Sequence, residues 1–175
     1  MPPSEVHRRP TLLSSCAMAA TAAEARFRIE YPFLARDSRI VAVDAEASAI
    51  VHRAAQRQWA GNARFLVLET PMPAGGDGFA PDAVLRVCDG SQSRLSDELA
   101  EADVTVMVGS SAGAEAASLI GRACAERSIM TAGVVLSRTA ERVNDAVLAL
   151  RPYAMVLVVT KDEDDLFELL TALRV

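Results

Sequence analysis

Asp103-Val104-Thr105-Val106-Met107-Val108 runs into Gly109-Ser110-Ser111-Ala112-Gly113, and Ala114 to Arg127 and Thr131 to Leu136 follow. The first stretch is an apolar run of strand length and the second is a tight turn. The third has helical spacing, and the fourth is a second apolar strand. Strand, glycine turn, helix and strand in this order is the unit of a parallel α/β sheet. It sets backbone N–H groups and a helix N-terminus at the sheet's carboxyl edge, where anions bind.

The same alternation extends outward. Arg39 to Val43 reads as a buried strand closed by Asp44, and Ala45 to Trp59 as a helix stopped by Gly61-Asn62. Phe65 to Leu68 is a further strand. Val84 to Cys88 is an extra strand or a loop, and Ser93 to Ala100 is helical. Thr139 to Leu150 is a helix ended by Pro152, Met155 to Val159 an apolar strand, Lys161 to Asp165 an acidic turn, and Leu166 to Leu173 a closing helix. Strands apolar on both faces belong to a parallel sheet covered on both sides. Right-handed crossovers then give a three-layer α/β/α sandwich, Rossmann-like, with a mostly parallel sheet.

Residues 1–10, with Pro2, Pro3 and Pro10, read as a flexible tail, and residues 11–175 as a single α/β domain. Leu12 to Arg28 suits an Ala-rich first helix. Its start, TLLSSCAMAATAA, has some likeness to an export signal, but Ser14 and Ser15 interrupt the apolar run. Residues 70–82, with three prolines and three glycines, form a long loop.

Composition narrows the function classes. The 175 residues are 51% hydrophobic and only 5% aromatic, which suits a Val/Ala/Leu core in a layered fold. The net charge is −5, and the only basic cluster is His7-Arg8-Arg9, so nucleic-acid binding is not expected. Seventeen of the 18 basic residues are arginine, a bias that genome composition explains without a site. No apolar run approaches the ~20 residues of a membrane span. The cysteines (Cys16, Cys88, Cys124) are odd in number and lack C-x-x-C spacing. That argues against a zinc site or a disulfide framework, and for a reducing, cytoplasmic location.

Several segments together resemble the nucleotide-binding domain of the tubulin and FtsZ superfamily. Arg39-Ile40-Val41-Ala42-Val43-Asp44-Ala45-Glu46-Ala47-Ser48-Ala49 is similar to the family's strand and N-T-D-A-Q-A-L-type turn. Gly75-Gly76-Asp77-Gly78-Phe79-Ala80-Pro81-Asp82 lies where the family has a glycine-rich loop and N-P-E. Leu99-Ala100-Glu101-Ala102-Asp103-Val104 resembles its L-x-G-A-D strand entry. Gly109-Ser110-Ser111-Ala112-Gly113-Ala114-Glu115 occupies the slot of the phosphate-binding G-G-G-T-G-[ST]-G. Tyr153-Ala154-Met155-Val156-Leu157-Val158-Val159 resembles the D-x-L-I-V-I-P-N strand. The likeness covers about residues 39–170 and implies a nucleotide fold with GTP as the candidate cofactor. Where the family has a run of glycines, only Gly109 and Gly113 remain, and Lys161 replaces the asparagine at the later strand end. Those departures imply a chain without GTP hydrolysis or filament formation.

The candidate ligand site is therefore Gly109, Ser110, Ser111, Ala112, Gly113 and Asp44. Ser110 and Ser111 offer hydroxyls, and the helix dipole favours an anion by ~0.3–1 kcal/mol. Two glycines that only shape the turn, a serine that caps the helix, and Asp44 capping the helix from Ala45 are the simpler alternative. Glu115 opposes an anion. Cys124 has core spacing, His52 reads as a surface residue, and no catalytic set is visible. Lys161 to Asp165 reads as a solvated acidic helix cap, and no metal is expected. The chain is expected to be a non-catalytic or regulatory module acting through a protein partner or as a homodimer. The alternative is a binder, or a small enzyme, for a phosphorylated small molecule or nucleotide.

Overall fold

The computed structural model describes residues 36–59, 61–71, 82–110, 113–136, 140–173 and 175. Among the described residues seven strands form one sheet: β1 (Asp37–Ala42), β2 (Asn62–Pro71), β3 (Ala83–Val87), β4 (Gln92–Arg94), β5 (Val104–Gly109), β6 (Met130–Leu136) and β7 (Val156–Thr160). Among the described residues the helices are α1 (Ala45–Ala55), α2 (Leu95–Ala100), α3 (Ala114–Glu126), α4 (Ala140–Leu150) and α5 (Glu163–Ala172). Across the sheet the order is β4-β3-β2-β1-β5-β6-β7. The five strands from β2 to β7 are parallel, and β3 and β4 run antiparallel at one edge.

The apolar strands become the middle of the sheet because they are covered twice. Val41, Leu66, Met107 and Val135 meet Leu95 and Leu99 of α2, Ala117 and Ile120 of α3, and Leu150 of α4. On the opposite face Ile40, Val106, Val108 and Val134 meet Val51 of α1 and Leu166 and Leu170 of α5. Neighbours along one strand thus enter different cores, as the two-residue strand period requires. The expected three layers and mostly parallel sheet are present.

Several expected boundaries differ. The segment expected over Val84 to Cys88 as a strand or a loop is a strand, β3 (Ala83–Val87), pairing with β2, and Cys88 lies in the turn after it. Ser93 and Arg94 were expected in a helix but lie in β4, which pairs with β3, and α2 begins only at Leu95. The helix expected to run from Ala45 to Trp59 ends at Ala55. Trp59 instead folds its indole N–H back onto the Ala54 carbonyl at 2.9 Å and stacks beside Phe65 and Phe167. The acidic residues Glu163 to Asp165 are not a separate turn; they form the first turn of α5, where negative charge suits the dipole. The expected tail, the first helix and most of the long loop lie outside the described residues.

Among the described residues two charged side chains, Arg39 and Glu98, are buried. Arg39, 1% exposed, donates from Nε to the Glu98 carbonyl at 3.0 Å and pairs with the Glu98 carboxylate at 3.0 Å. Glu98 also pairs with Arg64 at 2.9 Å. A carboxylate from α2 thereby pairs with guanidiniums from both β1 and β2. Removing one member of such a group strands the other charges in a poor solvent, which makes the cluster a specific fastener for α2.

Candidate functional site

The parallel strands follow the chain outward in two directions from the centre, β1 to β2 on one side and β5 to β6 to β7 on the other. The reversal falls between β1 and β5, and a crevice at the carboxyl ends of such strands is where open α/β sheets take ligands. Asp44 follows β1 and Ser110 follows β5, so the fold brings these two expected site residues together. Gly109 and Gly113 flank the same turn. Ser111 and Ala112 lie outside the described residues.

The geometry is specific. Asp44 is extended (φ −145°, ψ 169°) and caps α1, its Oδ1 accepting from the Ala47 N–H at 2.8 Å. Asp44 Oδ2 accepts from the Ser110 N–H at 2.6 Å, and Oδ1 accepts from the Ser110 hydroxyl at 2.9 Å. Glu46 Oε2 lies 2.9 Å from the same hydroxyl. Ser110 is 3% exposed. A donor pair of the kind that would meet a phosphate oxygen therefore meets a carboxylate of the chain itself.

The two glycines are shaped by packing. Gly113 has φ +97°, and a methyl there would stand 2.6 Å from the Val43 carbonyl oxygen. A methyl at Gly109 would stand 3.0 Å from Val43 Cγ2. Both glycines let the turn lie against the end of β1. The N-cap of α3 is Gly113, which offers no side chain, so Ser110 does not cap that helix. Its hydroxyl instead ties the β5 turn to the start of α1.

Asp44 and Glu46 bring two carboxylates to the Ser110 hydroxyl, and exposed Glu115 lies in the first turn of α3. Among the described residues no group of three or more His, Cys, Asp or Glu side chains is arranged to hold a metal. The described thiols are not poised as nucleophiles. Burial pushes the Cys124 thiol up, and burial followed by the nearby Asp89 does the same to Cys88. A thiol held protonated is a weak nucleophile.

A concavity of about 480 Å³ lies between α1 and strands β2 and β3. It is lined by Ser48, His52, Val67, Leu68, Glu69 and Arg86. Its charges are satisfied locally. Arg86 pairs with Glu69, which also accepts from Gln92 Nε2 at 2.7 Å. Sequence reasoning missed this cleft because its residues come from a helix and two strands with no shared motif.

Fold and site together define a doubly wound α/β domain whose central crevice is bridged by an aspartate–serine contact. No protein-family model matches the chain, and no curated protein or solved structure matches it significantly.

Proposed function

We propose that this chain is a non-catalytic or regulatory module, acting in the cytoplasm through contacts with protein, including copies of itself. The observation that carries this reading is the Asp44 carboxylate seated on the Ser110 N–H and hydroxyl. An anionic ligand would have to displace a carboxylate that also caps α1, and would enter beside Glu46, 2.9 Å from the Ser110 hydroxyl. Like charge at that distance opposes it. In this reading the chain is a reduced relative of the tubulin and FtsZ nucleotide domain. The mostly parallel sheet and the glycine turn after β5 support the likeness. The internal carboxylate accounts for a turn that has kept only the glycines its packing needs.

One observation favours the alternative, a nucleotide or phosphate-ligand binder: the turn stands at the switch point of the sheet, the usual ligand position. Thermal unfolding of the chain with millimolar GTP, ATP or NAD separates the two. The module reading expects an unchanged Tm. A ligand at 100 times its Kd adds about 2.7 kcal/mol, equivalent to several degrees for a domain of this size. A saturable rise of that kind, lost in Ser110→Ala, would establish the binder and overturn the module.

A further inference from the structure

We propose that the cleft between α1 and strands β2 and β3 binds a free α-amino acid with an apolar side chain, held as its zwitterion. This goes beyond the module reading above and does not depend on what fills the switch-point crevice.

The cleft lies one strand over from that crevice. Val67 pairs with Ala42, the last residue of β1, so the cleft opens toward the carboxyl ends of parallel strands, where α/β sheets take ligands. Ala42 belongs to the core beneath α1. Val67 stands opposite both Ala42 and Arg86, so Val67 and Arg86 project to the α1 side of the sheet. Ser48 and His52, four residues apart on α1, share one helix face and form the other wall. The volume, about 480 Å³, is that of a small-molecule site. A break in the ladder places the acidic group. Leu68 pairs with Leu85 and Thr70 with Val84, so Glu69 is the extra residue of a β-bulge. Bulges re-aim side chains and gather beside functional sites.

Charge selects the ligand class. The Glu69 side chain is 19% exposed and is fixed by Gln92 Nε2 at 2.7 Å and by Arg86. The Arg86 side chain is 55% exposed and meets that carboxylate through Nη2, which leaves Nε and Nη1 to another acceptor. Among the described residues the Ser48 hydroxyl and the His52 ring have no side-chain partner. A carboxylate and a guanidinium held side by side match a ligand that carries both signs. The ligand carboxylate takes the remaining edge of Arg86 together with the Ser48 hydroxyl and the His52 ring. Its ammonium takes Glu69, and its side chain lies on Val67. Every charge in the cleft then keeps an opposite neighbour. A ligand with a carboxylate or phosphate alone would crowd Glu69, and one with an amine alone would crowd Arg86.

Titration calorimetry of the full chain with L-leucine tests this, with L-leucinamide and N-acetyl-L-leucine as probes that each lack one charge. L-Leucine is expected to bind saturably with a Kd below about 1 mM, and each capped probe at least about tenfold more weakly. Glu69→Gln should weaken L-leucine about tenfold without weakening N-acetyl-L-leucine, which has no ammonium to lose. Arg86→Gln should weaken L-leucine about as much without weakening L-leucinamide. A merely structural role for either residue would weaken all three probes alike. Should a variant unfold, amide NMR of the unsubstituted chain reads the same site: L-leucine should move Ser48, His52 and Glu69 and leave Ser110 in place. A weaker Kd for L-leucine, or no saturable heat at all, overturns the proposal. So do capped probes that bind as tightly as L-leucine, variants that weaken all three alike, or amide shifts that fall away from the cleft. A phosphate ligand that moves Ser110 would instead strike the module reading and leave these outcomes unchanged.

Discussion

Gly113 shows how one residue decides what the turn can be. Its φ of +97° and the 2.6 Å approach of its absent methyl to the Val43 carbonyl leave room for glycine alone. Gly113→Ala should therefore destabilise the fold by more than ~1 kcal/mol, read as a lower urea midpoint with unchanged m-value. An alanine variant as stable as the parent would contradict the packing role. The need for glycine here was visible in the sequence, but its reason was not. A glycine that makes way for a phosphate and a glycine that makes way for a carbonyl look alike in the chain. Asp44 was legible as a helix cap because it immediately precedes an apolar-periodic run. Its second role, accepting from Ser110 sixty-six positions away, has no local signature.

At the scale of elements, α2 shows a cap supplied from outside. Its N-cap, Arg94, makes no side-chain cap bond. Asp82 does that work, accepting from the Ser96 N–H at 3.1 Å, the Ser96 hydroxyl at 2.8 Å and the Ala83 N–H at 2.8 Å. Burial by itself would raise the Asp82 carboxyl, but these bonds together outweigh it and hold the group below its ordinary value. The sign follows from linkage. A carboxyl lowered on folding stabilises the native state above its unfolded value, near pH 3.9, and that stability is lost as pH falls through the lower folded value. Asp82→Ala should cost ~1 kcal/mol at neutral pH, and the loss should shrink in the acid range. A cost independent of pH between about 2 and 7 would contradict the assignment. The sequence hid this because the capping residue and the helix are separated by β3 and β4. For the same reason Ser93 and Arg94 read as helical: a three-residue strand joined directly to a helix has no turn residue to mark the change. The longer elements β1, β5, β6 and α3 were legible because apolar runs of the right length leave few alternatives.

For the whole molecule, the alternation of apolar runs with amphipathic ones specified the layers, and the order of strands placed the loops after β1 and β5 at one crevice. The sequence carried the layers because the rules for parallel crossovers are strict, whereas the order of strands came only with the structure. It did not carry what fills the crevice, since whether Ser110 faces a ligand or Asp44 depends on how two distant turns meet. The same limit applies at β7, where an apolar strand reads as central although it stands at an edge with Val156 and Val159 half exposed. The central claim is that the chain's own carboxylate already holds the donors of the switch-point turn. Amide NMR at Ser110 tests it most directly, by following that N–H during titration with GTP, NAD or inorganic phosphate. The account predicts a single Ser110 resonance, shifted downfield by its 2.6 Å bond to Asp44 and unmoved by any of the three. A saturable displacement of that resonance by a phosphate-bearing ligand would contradict it.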